Sequence, residues 1–337
     1  MPIFIKRNKL KFDIVHNLNF HTDWLPSFLW VFNKPFIWGP VGHHPCVPNE
    51  FSLNPYGRKE VIKNKATWFL KKLFWTFDIF LKICRNSADY ILAVNSDTRK
   101  HLSSDKNKTI VIPAVAAPKY VFEKKKDEIF TVLSVGRFVP LKGFDLTVAC
   151  FAKFIKGLPL EKRKNAKLFL IGSGPLKTFL QNQIKELQIE EYVEMIPWIE
   201  QNKLFDIYTL ADVFLFPSHE GAGMVIPEAL SFELPVICFD NSGPGELVSK
   251  LSELKVPYTT YDNSVNQFAG KLNLLFTNNA LFQKEKELAR EHHAAYLTWE
   301  SKGIFLDTLY NTLDRKFYEE GLCSTPAERL QREPVGF

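Results

Sequence analysis

Over residues 129–240 the sequence alternates without interruption between short apolar runs and longer amphipathic ones. IFTVLSVGRF, KLFLIGSGP, YVEMIPWI, VFLFPS and PVICFD are separated by KGFDLTVACFAKFIKGL, LKTFLQNQIKELQI, NKLFDIYTLAD and GMVIPEALSFE. The short runs read as buried strands and the long ones as helices. Such alternation implies a parallel sheet with helices on both faces. Ligands of these sheets bind beyond the carboxyl ends of the strands, so the loops after the strands are where chemistry is expected.

The first third keeps the same rhythm less regularly. FDIVHNL reads as a strand, HTDWLPSFLWVFN as a helix, KPFIWGPVG as a strand entering a Pro/Gly loop, ADYILAVN as another buried strand and TIVIPAVAAPKYV as a further short one. A basic helix lies between the second and third of these strands. The charged break FEKKKDE at 122–128 marks the expected linker. It divides the chain into domains 1–122 and 123–300, followed by a terminal helix at 301–322 and a tail at 323–337 without periodicity. A length of 337 residues suits two domains of about 100–200 residues each.

Hydrophobic residues at 46% and charged residues at 24%, with no low-complexity tract, place the chain among folded proteins. Lys6, Arg7, Lys9 and Lys11 interrupt every early apolar run, which argues against a signal peptide, and no later run reaches the length of a membrane span. Five scattered cysteines without C-x-x-C spacing give neither a disulfide framework nor a zinc site, so no metal is expected and a reducing cytoplasm fits. The net charge of +6 is concentrated at 51–85, where eight Lys/Arg stand against Glu60 and Asp78 among many aromatics. Two readings of 58–85 remain open. One is contact with an anionic membrane surface. The other is a solvated basic face behind a core stripe of Phe69, Leu73, Phe77, Phe80 and Cys84. No nucleic-acid motif accompanies the patch.

Three strand-end loops carry a consistent chemistry. In SVGRFVPLKG, Gly136 ends a strand without a side chain in the way, and Arg137 and Lys142 flank a turn; guanidinium and ammonium five positions apart suit a diphosphate. IGSGP reads first as a tight strand-to-helix turn. In HEGAGMVIPE, Glu220 stays in the loop, Gly221 and Gly223 free backbone amides for a ligand, and a helix begins near Met224. Its N-terminus favours an anion. Glu228, a turn into that helix, can accept hydrogen bonds from a vicinal diol such as ribose, while Glu220 can address sugar hydroxyls or developing positive charge.

PSHEGAGMVIPEALSFELPVI resembles the E-x7-E region of the retaining glycosyltransferases of family 4, and SVGRFVPLKGFDL resembles their phosphate-binding loop. LFLIGSGPLKTFL, MIPWI and YTLADVFLFPS follow in the expected order, so the resemblance covers about 129–248. It implies an α/β GT-B fold of two Rossmann-like parallel-sheet domains, a nucleotide-diphosphate sugar as co-substrate, and no cofactor or obligatory metal. By motif, Arg137 and Lys142 would hold the diphosphate beside Gly136. Glu228 would bind ribose, and Glu220 with the backbone of Gly221, Ala222, Gly223, Met224 and Val225 would contact the transferred sugar. FDIVHNLNFHTDWLPSFLW and KPFIWGPVG resemble part of the family's acceptor domain more weakly. The family's usual histidine falls on Val41, which leaves His43 as the expected acceptor-side catalytic residue, with His16, His21 and His44 as neighbours in sequence.

Family members have further elements ahead of the equivalent of FDIVH, so the N-terminal domain is expected to be incomplete: a fragment, a split enzyme whose second chain supplies the rest, or an inactive form. Two functions follow. The first is a glycosyltransferase acting on a carbohydrate or lipid-linked acceptor in surface polysaccharide or glycolipid synthesis, cytoplasmic and peripheral on the inner face of the membrane. The second is a non-catalytic or partner-dependent nucleotide-sugar-binding subunit.

Overall fold

The computed structural model describes residues 2–18, 22–43, 47–102, 107–123 and 128–319. They fall into two compact units, one formed by 1–43, 69–114 and 300–337, the other by 44–68 and 115–299. These boundaries differ from the expected 1–122 and 123–300. Val115, Tyr120 and Phe122 pack into the second unit, the aromatic pair against Phe232, so the chain has changed units before the charged run begins. Residues 124–127 of that run, and the tail 323–337, lie outside the described residues.

The first unit contains α1 (Pro2–Arg7), β1 (Val15–Asn17), β2 (Phe36–Val41), the latter part of α2 (Asn49–Phe77), α3 (Ile79–Ser87), β3 (Tyr90–Ala93), α4 (Ser96–Leu102) and β4 (Thr109–Val111). Its four strands are parallel in the order β1-β2-β3-β4, with Val15 beside Phe36, Ile37 beside Tyr90 and Ile91 beside Thr109. β2 is buried on both faces. Phe36, Trp38 and Val41 join Leu81, Cys84 and Leu102 on one side, and Ile37 meets Leu92, Leu309 and Leu313 on the other. From Phe36 to Trp38 the split follows the two-residue period of a strand; Val41 falls on the Phe36 side because the pairing with β3 shifts register between Trp38 and Val41. Leu309 and Leu313 come from the terminal helix α13 (Trp299–Glu319), which thus belongs to this unit's core.

Two local expectations are corrected here. Of HTDWLPSFLWVFN, the described residues 22–33 form a single 3-10 turn at Leu29–Phe32; Pro26 lacks an N–H and biases Leu25 away from helical angles. The stripe from Phe69 to Cys84 is not a core face. Phe69, Phe77 and Phe80 are 63%, 71% and 53% exposed, and of the stripe only Cys84 is buried. The helix is broken at Asp78, whose carboxylate accepts from the Leu81 N–H at 3.1 Å and caps α3 as a new helix. Periodicity counted across that break has no physical meaning, and α3 buries Leu81 and Cys84 instead.

The second unit runs β5 (Phe130–Val135), α5 (Phe144–Gly157), α6 (Leu160–Arg163), β6 (Ala166–Ile171), α7 (Lys177–Glu186), β7 (Val193–Ile196), α8 (Gln201–Leu210), β8 (Val213–Phe216), α9 (Val225–Ser231), β9 (Val236–Phe239), α10 (Pro244–Leu247), β10 (Lys255–Val256), α11 (Tyr261–Thr277) and α12 (Asn279–Tyr296). Its sheet is entirely parallel, in the order β10-β9-β8-β5-β6-β7. From β5 the chain builds outward through β6 and β7, then returns to pair β8 on the other side of β5. The reversal makes the β5/β8 boundary a topological switch point, where the loops leaving adjacent strands diverge and open a crevice. Strands β5, β8 and β9 are almost wholly buried apolar side chains, as a sheet covered on both faces requires.

Gly143 is the tightest point at this boundary. It links the 3-10 turn Pro140–Lys142 to α5 with φ +68°, and a Cβ there would lie 2.1 Å from the Pro217 carbonyl oxygen. Left-handed strain of about 1–2 kcal/mol adds to that backbone clash. Gly143→Ala is expected to lose at least about 2 kcal/mol of stability, measured as the shift in urea midpoint against wild type.

Candidate functional site

The loop after β5 and the loop after β8 are fastened to each other. The Leu141 carbonyl accepts both the His219 N–H at 2.9 Å and the Ser218 hydroxyl at 3.2 Å. Across the same boundary the Lys142 ammonium donates to both Glu220 carboxylate oxygens, at 2.8 and 2.7 Å. The Lys142 Nζ also lies 5.1 Å from the centre of the Phe216 ring. Glu220 is buried, and burial pushes its pKa up more than Lys142, and behind it Arg137, bring it down. Arg137 itself is exposed at the mouth of the β5 loop. Two cations and one carboxylate therefore converge where Gly136 ends β5.

The IGSGP turn supports this loop rather than extending the site. Gly172 lies so close that a Cβ would sit 1.9 Å from the Gly136 carbonyl oxygen. The tight-turn reading of that motif matches this packing.

Glu228 projects from α9 on the β8 side. It accepts a hydrogen bond from the Tyr208 hydroxyl at 3.4 Å. Tyr208 stacks on Phe232 at 5.1 Å with the rings 5° from parallel, and Tyr120 stacks on the same Phe232 at 5.0 Å. The half-buried Glu228 has its pKa raised by desolvation, with the Tyr208 bond working in the opposite direction. Between the two carboxylates run Gly221, Ala222, Gly223, Met224 and Val225; Gly221 and Gly223 are buried and Met224 is exposed. The helix beyond has only seven residues, so attraction of an anion rests on Arg137 and Lys142 more than on a helix dipole.

Sequence reasoning passed over several residues that hold this geometry. Tyr208 is a fully buried ring in the predicted helix NKLFDIYTLAD and gave no polar signal. His219 stands immediately before Glu220, yet its ring is packed among Phe51, Phe239 and Tyr258, hydrogen-bonded to the Tyr258 hydroxyl at 2.8 Å, and burial lowers its pKa to about 3. It is a neutral plug beneath the Glu220 loop. Asn241 ties the β9 loop to the β8 loop, donating to the Ser218 carbonyl at 3.1 Å and accepting from the Gly243 and Gly245 N–H groups.

In the first unit, His43 hydrogen-bonds through Nδ1 to the Asp23 carboxylate at 2.7 Å. His16 has a structural place: one ring nitrogen meets the Gly39 carbonyl and the other the Tyr310 hydroxyl, both at 2.7 Å. His21 and His44 lie outside the described residues.

Residues 118–292, just over half of the chain, match the family described as Glycosyl transferases group 1. The chain belongs to this family. An uncharacterized glycosyltransferase of Haemophilus influenzae is 30% identical over 218 residues, covering 62% of this chain and 59% of that protein. The amylovoran biosynthesis glycosyltransferase AmsD of Erwinia amylovora is 28% identical over 178 residues, covering 52% and 46%. The chain thus spans about half the length of these relatives. Sucrose-phosphate synthase from Thermosynechococcus elongatus superposes with a TM-score of 0.64 at 19% identity, covering 93% of this chain and 76% of that one. The fold of this group 1 member is α/β with parallel sheets, of the GT-B type.

The raised pKa of Glu228 has a definite consequence for stability. Between the ordinary carboxylate value and the raised one, the folded chain binds more protons than the unfolded chain, so stability falls as pH rises through that window. Above it the ionised, half-buried carboxylate is a liability. Glu228→Gln, which cannot ionise and can still accept from Tyr208, is expected to be more stable than wild type at about pH 7, with the difference closing below about pH 4. Urea titrations of both proteins across that range check it; a less stable Gln variant at neutral pH would contradict the assignment.

Proposed function

We propose that this chain is a retaining glycosyltransferase of family 4, moving a sugar from a nucleotide-diphosphate sugar to a carbohydrate or glycolipid acceptor. The observation that carries the reading is the Arg137–Lys142–Glu220 group at the β5/β8 switch point, with Glu228 held by Tyr208 beside it. A diphosphate arriving there meets Lys142 and Arg137, and charge that accumulates on it as the glycosidic bond breaks is stabilised without rearrangement of solvent. Glu228 accepts from the ribose hydroxyls. Glu220 and the backbone from Gly221 to Val225 address the sugar. His43 is the acceptor-side residue of this reading, and the donor-side chemistry at Arg137, Lys142, Glu220 and Glu228 calls for no metal or cofactor. The amylovoran relative favours polysaccharide synthesis as the setting. Cys84, Cys150 and Cys238 are buried free thiols, which agrees with a reducing cytoplasm.

The test is thermal unfolding of the purified chain with millimolar UDP, GDP and ADP. A nucleotide present at about 100 times its dissociation constant adds roughly 2.7 kcal/mol. One nucleotide is expected to raise Tm, and the rise is expected to disappear in Glu228→Ala. No rise with any nucleotide, in a chain that unfolds cooperatively, would favour the alternative of a subunit that needs a partner chain to bind.

The inner-membrane placement rests on a separate observation. Phe69, Phe77, Ile79 and Phe80 are exposed on the first unit's stretch of α2 and on α3, beside Lys72 and Lys82. Among the described residues no helix is long and apolar enough to cross a membrane. Exposed aromatics with flanking lysines suit the surface of an anionic bilayer, each nearby cation contributing about 1 kcal/mol. The chain is expected to float with phosphatidylglycerol-containing vesicles, less so at high salt, and Phe77→Ser with Phe80→Ser is expected to abolish flotation. Absence of salt-sensitive flotation would remove this part of the reading.

A further inference from the structure

Three side chains that no motif connects meet at the carboxyl edge of the first unit's sheet. Asp23 lies in the loop after β1, His43 in the loop after β2, and His101 on α4, the helix that follows β3. The Asp23 Oδ2 is 2.7 Å from His43 Nδ1 and 3.7 Å from His101 Nε2, and one ligand-type atom from each of the three falls within 4.8 Å of the others. We infer that Asp23, His43 and His101 form a binding site for a zinc-type divalent cation.

The donor set and its surroundings both point this way. Two imidazole nitrogens and one carboxylate oxygen are the ligands of zinc and its neighbours, not of magnesium or calcium, which take oxygen. A metal about 2.0–2.2 Å from each ligand separates neighbouring donors by about 3.2–3.6 Å in a tetrahedron. The two separations from Asp23, 2.7 and 3.7 Å, lie on either side of that range, while the imidazoles of His43 and His101 stack on each other with ring centres 4.7 Å apart, so binding requires the two rings to turn their nitrogens toward a common point. Three protein ligands leave a fourth position for water or a hydroxyl.

The positions of the ligands are fixed by other bonds. The Asp23 N–H donates to the Gly42 carbonyl at 3.2 Å, joining the first two loops. The His43 N–H donates to the Thr98 hydroxyl at 2.8 Å, and that hydroxyl donates to Asn95 Oδ1 at 2.7 Å, joining the second loop to the start of α4. Trp75 packs against both imidazoles, 5.1 Å from His43 and 4.1 Å from His101 by ring centres, an apolar wall that limits solvent at the cluster. Asp23 and His43 are buried, while the side chain of His101 is 32% exposed and gives a cation its way in. The positive charge of Arg85 acts on His101 and opposes a cation there.

The test uses the full chain, free of any histidine tag and stripped with a chelator. Cobalt(II), a spectroscopic stand-in for zinc, is expected to give visible ligand-field bands of a four-coordinate site at one ion per chain, displaced by Zn2+ and not by excess Mg2+. His101→Ala, on an outward helix position, and Asp23→Asn are each expected to weaken binding more than about tenfold, with circular dichroism showing that they still fold. Arg85→Gln is expected to tighten binding, a change that a purely structural cluster would not produce. No stoichiometric cobalt or zinc binding by the wild-type chain would overturn the inference. So would bands that survive unchanged in His101→Ala.

Discussion

The candidate donor site depends on one topological fact, that β5 and β8 are hydrogen-bonded neighbours whose connections leave in opposite directions. Helices on the two faces pull the β5 and β8 loops apart, and the crevice between them has to be closed by something other than secondary structure. Here it is closed by backbone bonds onto the Leu141 carbonyl and by the bidentate Lys142–Glu220 pair. A largely buried ion pair is an inefficient way to hold two loops together, since apolar side chains of the same volume generally do so at least as well. The raised pKa of Glu220 is the mark of that inefficiency: desolvation outweighs two nearby cations. What favours an entering anion is the excess of cations, Arg137 and Lys142 against the single carboxylate of Glu220, whose ionised form burial already disfavours.

Glu228 repeats the argument on the other side of the glycine turn. Its carboxylate is kept from full solvation by Tyr208, whose ring is locked in a stack on Phe232, and the single bond from the tyrosine hydroxyl does not repay the desolvation. Both acids of the E-x7-E pair are thus held ready and poorly satisfied, each for a reason that can be named. The histidine that precedes Glu220 contributes differently. His219 is stacked and neutral, and it gives the loop a rigid floor without adding charge beside the two cations.

The second unit was largely legible because its information is local. Each buried strand is a short apolar run, each strand exits into a Gly or Pro turn, and of the two acids Glu220 adjoins Gly221 while Glu228 stands about one helical turn beyond Gly223. What was illegible required contacts distant in sequence. Tyr208 looks like any aromatic on a helix, and its link to Glu228 joins two helices separated in the chain by β8 and the glycine loop. β10 has two residues, too few to leave a pattern. The unit boundary was misplaced because charge marks exposed chain, whereas the crossing is set by where Val115, Tyr120 and Phe122 find apolar partners. The false stripe from Phe69 to Cys84 arose because the Asp78 cap resets the helical phase, and a capping carboxylate inside a basic aromatic run is easily read as one more solvated charge.

The first unit poses the opposite problem. Its sheet is sequential, so among its described strands there is no switch point to direct a ligand, and position along the chain says little about where chemistry lies. What topology does provide is that β1, β2 and β3 are parallel neighbours, and parallel strands deliver their following loops to one edge. Residues 23, 43 and 101 are brought together by that rule alone, Asp23 hydrogen-bonded to His43 and 3.7 Å from His101, without any spacing that sequence inspection associates with metal or acid–base chemistry. Once there, the buried carboxylate of Asp23 can remain only because imidazole answers it. The same requirement that makes the cluster stable, a negative charge needing a partner in an apolar setting beside Trp75, is what makes it receptive to a cation.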